Sequence, residues 1–212
     1  YKAGIDASAN NVDVVTTGND DAGYLGNLLG GRLDFYPHGN FRMAQGDFAH
    51  TGFPLVGVGA NAYVWNNDND DVVDAAGDYD NINGIGVDGA IRWRGWSVDL
   101  AWQQFTTETL DPAFTGGLVG NGEGDFDTWS VEGGYMLVAN RFEIVAGYQV
   151  LDADVLADED RRISVGCNWF FDKHNTKLQF TWEMGDNVFD VDGNTLRFED
   201  QDRIFFQLQH VL

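Results

Sequence analysis

Residues 85–105 read IGVDGAIRWRGWSVDLAWQQF. Ile85, Val87, Gly89, Ile91 and Trp93 occupy every second position, and Gly86, Asp88, Ala90, Arg92 and Arg94 fall between them. After Arg94-Gly95 the alternation resumes, with Trp96, Val98, Leu100 and Trp102 against Ser97, Asp99, Ala101 and Gln103. Successive side chains of a strand point to opposite faces, so the stretch predicts a hairpin with one apolar and one polar face. A two-residue turn pairs Trp93 with Trp96 and keeps both apolar sets on the same side.

The same pattern runs through the rest of the chain. Strands are expected near 2–8, 26–36, 55–66, 127–137, 142–150, 161–171, 176–185 and 202–212, which with the hairpin makes about ten. His210 falls on an otherwise apolar face. The connections Arg94-Gly95, Val138–Arg141 and Asp172–Asn175 are tight. Those at 9–25, 67–82, 107–126, 151–160 and 186–201 are long, polar and acidic. Strict alternation puts the tight turns at one end and the long loops at the other. Residues 37–54, PHGNFRMAQGDFAHTGFP, break the rule: they lie at the tight-turn end, as an extra turn or tucked against the sheet.

Long two-faced strands with short turns at one end and long loops at the other predict an antiparallel transmembrane β-barrel as a single domain over 1–212. In such a barrel the short turns are periplasmic and the acidic loops external. A soluble β-sandwich alternates in the same way, with its apolar face on a core. Two details favour the barrel. Trp93, Trp96 and Trp169 sit beside turns, where an interfacial belt lies, and the strands exceed the usual five or six residues.

Composition narrows the class. Aromatic residues are 14% of the chain, which argues against disorder despite a net charge of −22. That charge also excludes nucleic acid as a natural partner. No apolar run is long enough for a transmembrane helix. Cys167 is the only cysteine, so no intrachain disulfide forms; on an apolar face it reads as packing. The chain starts at Tyr1 without an initiator Met or signal peptide, as expected of a processed form or a fragment.

Three stretches carry a family likeness: GRLDF with GNF between 31 and 41, NRFEIVAGYQ at 140–149, and RRISVGCNWFF followed by HNTKLQF between 161 and 180. In this order they resemble the C-terminal part of the phosphate-selective porin O and P family of Gram-negative outer membranes. The resemblance implies a sixteen-stranded barrel, usually a homotrimer, through which solutes diffuse. It also implies that phosphate selectivity, where present, depends on inward basic residues.

The expected inward charges here are Arg32, Asp34, Asp88, Arg92, Asp99, Glu132, Glu143, Lys177 and Glu183, with Arg94 and Arg162 as further cations. Acids match or outnumber bases in this set. Phosphate needs a clear positive excess, so phosphate selectivity is not expected. The reading is therefore an outer-membrane porin for passive diffusion of small solutes or ions, preferring cations or neutral species. Its partners are lipid and permeant, and it requires no cofactor.

The acidic loops raise calcium as a ligand. Asp68, Asp70 and Asp71 cluster in one loop and Asp190 and Asp192 in another, but neither fits the EF-hand spacing, so solvated loop is the simpler reading. His38, His50, His174 and His210 lack metal-ligand spacing, and no nucleophile motif or phosphate loop occurs. No catalytic residue is assigned and an enzyme is not expected. Two rival functions remain: a barrel subunit of an extracellular assembly, localised outside the cell, and a soluble acidic β-sandwich binding carbohydrate through its Trp residues.

Overall fold

Period-two alternation repeated along the chain gives nine antiparallel strands in a computed structural model, which describes residues 27–39, 41, 46–67, 79–172, 175–192 and 195–210. Side chains are described for all of these except Asn27, 189–192 and 195–200. The strands are β1 (Asn27–Phe35), β2 (Leu55–Asn66), β3 (Tyr79–Trp93), β4 (Trp96–Thr109), β5 (Glu123–Val138), β6 (Phe142–Ala153), β7 (Asp160–Asp172), β8 (Thr176–Asp192) and β9 (Thr195–His210). Each pairs only with its neighbours in sequence, in one sheet ordered β1 to β9. Among the described residues the sheet is open, with β1 and β9 as its two edges. The described residues contain no helix. The expected strand at 2–8 lies outside the described residues.

The register follows the sequence pattern closely. Trp93 pairs with Trp96 across the first tight turn, where Arg94 and Gly95 both take positive φ (50° and 87°), as a two-residue hairpin of the favoured hand requires. The turn after β5 closes through Arg141 N–H to Val138 C=O at 2.9 Å, and that after β7 through Asn175 N–H to Asp172 C=O at 2.8 Å. His210 pairs with Thr176, and a 2.9 Å hydrogen bond joins its Nδ1 to the threonine Oγ1. The histidine at the end of this otherwise apolar run of β9 thus has a polar partner.

At the other end the strands outrun the expectation. β3 begins at Tyr79, β4 reaches Thr109 and β5 starts at Glu123, all inside stretches expected to be loop. The largest correction concerns 186–201. Residues 186–192 and 195–201 are strand: β8 continues to Asp192 and β9 begins at Thr195, with Asp192 opposite Thr195. The cause is legible in retrospect: Gly193-Asn194 separates two runs that alternate apolar and polar residues, which is a hairpin signal even when the polar residues are acids.

Burial is inverted relative to an ordinary soluble domain. Leu33 (81% exposed), Phe35, Ile204 and Phe206 (71%) point outward from one face, together with Ile85, Val87, Leu100, Ile144, Ile163 and Phe180. The opposite face holds buried charges: Glu143 (0%), Asp160 (2%), Arg92 (4%) and Lys177 (6%). Burial of apolar surface is normally the dominant favourable term in folding, and a charge buried in protein needs partners.

The apolar face is also banded. At the tight-turn end it carries Trp93, Trp96, Tyr135, Phe142 and Trp169, with Trp96 and Tyr135 rings 4.6 Å apart and Phe142 and Trp169 rings 5.5 Å apart. Towards the loop end it carries Trp102, Trp129 and Tyr148, the last two in edge contact at 5.0 Å. Beyond that second row the same face turns polar, through Gln104, Thr106, Asp125, Asp127, Asp152, Asp186 and Asp202. From Ile85 to Trp93 the apolar stretch of β3 spans about 27 Å of strand.

Candidate functional site: the polar face of the sheet

Polar side chains on this face come from alternate positions of successive strands, so the register decides which of them meet. Arg32 on β1 donates to Asp88 on β3 in fork geometry, Nη1 to Oδ2 at 2.6 Å and Nη2 to Oδ1 at 2.8 Å. The two strands are not neighbours, because β2 runs between them. Gly59 is the β2 residue beneath the pair; a Cβ there would sit 2.8 Å from Arg32 Cζ and 2.9 Å from Asp88 Oδ1. Arg32 also donates Nε–H to Asp34 at 2.9 Å. Arg32 and Asp34 stay substantially solvated and Asp88 partly so, so the pairing orders the wall more than it stabilises it.

Arg92 and Asp99 form the second fork, at 2.9 and 2.8 Å across the β3–β4 hairpin. Arg92 also donates Nη1–H to the carbonyls of Ile91 and Val98, and its guanidinium lies 6.0 Å from the centroid of the Phe41 ring. Buried and bonded on several sides, it is a fixed element of the wall.

Glu143 on β6 is the most enclosed charge. It accepts from Ser97 Oγ–H at 3.2 Å and from Asn168 Nδ2–H at 2.9 Å. Ser97 lies two strands away on β4, and the intervening β5 residue is again a glycine, Gly134, where a Cβ would stand 2.7 Å from Ser97 Oγ. Gln179 on β8 donates to Asn168 Oδ1 at 2.9 Å and extends the network to a fourth strand. Lys177 sits on the same face beside Phe170, close enough for its charge to act on Glu143.

What covers these groups is the segment at 46–54, folded onto the polar face at the tight-turn end. Asp47 Oδ2 accepts from Gly95 N–H at 2.9 Å and Thr51 N–H at 3.1 Å, and the Thr51 hydroxyl oxygen lies 3.4 Å from it. Thr51 donates its hydroxyl to Arg92 C=O at 3.1 Å, and Arg94 N–H donates to Thr51 C=O at 3.1 Å. Phe48 packs edge-on against Phe170 with ring centroids 4.7 Å apart. Of the two expectations for this connection, tucking against the sheet describes residues 46–54.

All nine expected inward charges lie on this one face, but they do not form one cluster. Arg32, Asp34 and Asp88 form one group, Arg92 and Asp99 a second, and Glu143 and Lys177 a covered third. Glu183 is 3.9 Å from Arg162, which forks onto Asp160 at 3.1 and 2.9 Å. Glu132 stands opposite Asp99 in the register and has no hydrogen-bond or ion-pair partner among the described residues. With Asp88, Asp99, Ser130 and Gln149 it lines an open recess of about 330 Å³.

Sequence reasoning missed Asp47, Ser97, Asn168 and Gln179, all uncharged or placed in a connection. Their alternation put the last three on the polar face, but only the register brings them to Glu143. Of the calcium candidates, Asp68, Asp70 and Asp71 and the side chains of Asp190 and Asp192 lie outside the described residues. Among the described residues no three His, Cys, Asp or Glu side chains are placed to hold a metal ion. Cys167 lies on the apolar face opposite Phe180. At the loop end, burial pushes the Tyr79 phenol above its ordinary pKa, and Glu159 holds the Arg161 guanidinium more firmly protonated.

The polar face therefore holds Arg32, Arg92 and Arg162 on carboxylates, presents Arg203 bonded to the neutral Gln201, and leaves Glu132 as surplus carboxylate. Comparison with family models, with curated proteins and with solved structures finds no match for this chain, so its site is read from its own geometry.

Proposed function

We propose that this chain forms wall of a β-barrel pore in the bacterial outer membrane, with its apolar face in lipid and its polar face in water, and that small solutes or ions cross by passive diffusion. The carrying observation is the inverted, banded burial: an exposed apolar zone bounded by aromatic rows, giving way on the same face to carboxylates. Lipid-facing barrel walls have this profile, about 25 Å tall with aromatic girdles at both edges. The family resemblance in 31–41 and 140–180 points the same way.

Strand direction adds a constraint. β1 and β9 run the same way, since eight antiparallel steps separate them. An all-antiparallel barrel therefore needs an odd number of additional strands between these edges: one closes ten, seven close sixteen. An unpaired edge is not tolerated in hydrocarbon, so such strands are a requirement of the proposal.

The wall is not that of a phosphate pore. Arg32, Arg92 and Arg162 are each forked onto a carboxylate, while Glu132 is left over beside Asp99. A lining with surplus acid attracts cations and repels anions.

The test is reconstitution of the full chain in planar bilayers under a potassium chloride gradient. A stable conductance with a cation-selective reversal potential is expected. Strong anion preference would overturn the selectivity. A chain that stays monomeric and water-soluble without detergent, or that sediments as a polymer in detergent-free buffer, would overturn the pore.

A further inference from the structure

The polar face changes chemistry towards the loop end. Below, its arginines are forked onto carboxylates and Glu143 is hydrogen-bonded to Ser97 and Asn168. Above, two adjacent rungs of the register carry neutral groups: Gln103 opposite Thr128 on one, Ser130 opposite Gln149 on the next. They line a recess of about 470 Å³ whose remaining polar residues are Asp160 and Arg162. That volume falls within the range of about 300–1,000 Å³ usual for small-molecule sites.

The hydrogen-bonding capacity of the recess is unspent. Among the described residues none of Gln103, Thr128, Ser130 and Gln149 has a hydrogen-bond partner, whereas Gln179 and Asn168 lower on the same face are bonded into the Glu143 network. Each carboxamide offers two donors and an acceptor, and each hydroxyl one donor and two acceptor lone pairs. The one cation at the rim, Arg162, is forked onto a buried Asp160 and presents no free charge to an anion.

We infer that this recess is a weak binding station for neutral polyhydroxylated solutes, sugars in the chemical sense. Vicinal hydroxyls match paired donors and acceptors, and a solute without charge avoids both the surplus of acid around Glu132 and the locked arginines. The inference rests on the polar face being a pore wall, and it deepens that reading by naming the class of permeant the wall favours. Such a station works best when it is weak, because conduction requires a solute to leave as readily as it enters.

The test separates this inference from the pore itself. Sucrose is added to the full chain in lauryldimethylamine oxide micelles, which carry no sugar, and saturation transfer from protein to solute is recorded. Triethylene glycol, which lacks vicinal hydroxyls, is the control. Transfer to sucrose but not to the control is expected, and Gln103→Ala with Gln149→Ala should weaken it about fivefold or more, the loss carried by two neutral hydrogen bonds. Both side chains are exposed, so the double variant keeps the fold, which its heat-dependent migration on a gel verifies. No transfer to sucrose, equal transfer to both solutes, or transfer unchanged in the double variant would overturn the station. Sucrose binding by a chain that passes no current would leave the station standing and remove the pore.

Discussion

Arg32 and Asp88 meet across a strand to which neither belongs, fork to fork at 2.6 and 2.8 Å above Gly59. Asp88→Asn removes the charge that holds Arg32 and exposes a guanidinium on the polar face. The expected outcome is a fall in cation preference, read as a shift of reversal potential towards the anion value. Arg32→Gln should shift it the other way. Because the pair is partly solvated, a double-mutant cycle on stability should give a coupling below about 1 kcal/mol. A large stability coupling with no change in selectivity would mean the pair braces the sheet away from any permeation path.

The apolar face offers a sharper discrimination within one strand. Leu100 and Gln104 share that face on β4, the first inside the apolar band and the second just beyond Trp102. In a lipid-facing wall Leu100→Arg should cost about 2–4 kcal/mol and Gln104→Arg about 0–1 kcal/mol. Leu100 is half exposed, so on a water-facing surface the two substitutions would cost alike. Urea unfolding of the chain folded into lipid vesicles measures the difference.

Glu143 gives a third prediction. Glu143→Ala leaves Asn168 Nδ2 without its acceptor and Lys177 without the nearby opposite charge, in a place water scarcely reaches. Removing one member of a buried charged group typically costs about 3–5 kcal/mol. Glu143→Gln keeps an acceptor oxygen for Asn168 or Ser97 and should cost less. Denaturant midpoints for the two variants should rank in that order.

Asp47 gives a fourth. Its Oδ2 accepts from Thr51 N–H within the segment and from Gly95 N–H, which ties 46–54 to the β3–β4 turn. Asp47→Ala should release the segment, at a cost of about 1–3 kcal/mol for the donors left unpaired. It should also uncover the floor formed by Glu143 and Phe170. In bilayers the expected signature is a larger single-channel conductance with more open-channel noise. Conductance equal to that of the parent chain would show that the segment does not narrow the path.

The strands were readable from the sequence because a period of two survives wherever one face is apolar. The 85–105 hairpin needed nothing beyond local pattern, and its register came out as Trp93 against Trp96. At 186–201 acidity masks the strand pattern, although Phe189, Val191, Leu196 and Phe198 still alternate with polar neighbours around Gly193-Asn194. Contacts that skip a strand left no such trace. Ser97 reaches Glu143 only because Gly134 lies between them, and a glycine in a strand announces an approach without naming the partners. Asp47 was harder still, since its acceptor role is defined by Gly95, 48 positions away.

That separation has a consequence for assembly. Neighbouring strands can zip pairwise from their turns, but the knot of Asp47 on Gly95 ties only after β2, β3 and β4 already stand in register. Contacts of long sequence separation form late, because loop closure is an entropic cost met before any reward. Residues 46–54 are thus the last stitch in this half of the sheet, and resistance of that stretch to a protease added during refolding would time the completion of the wall.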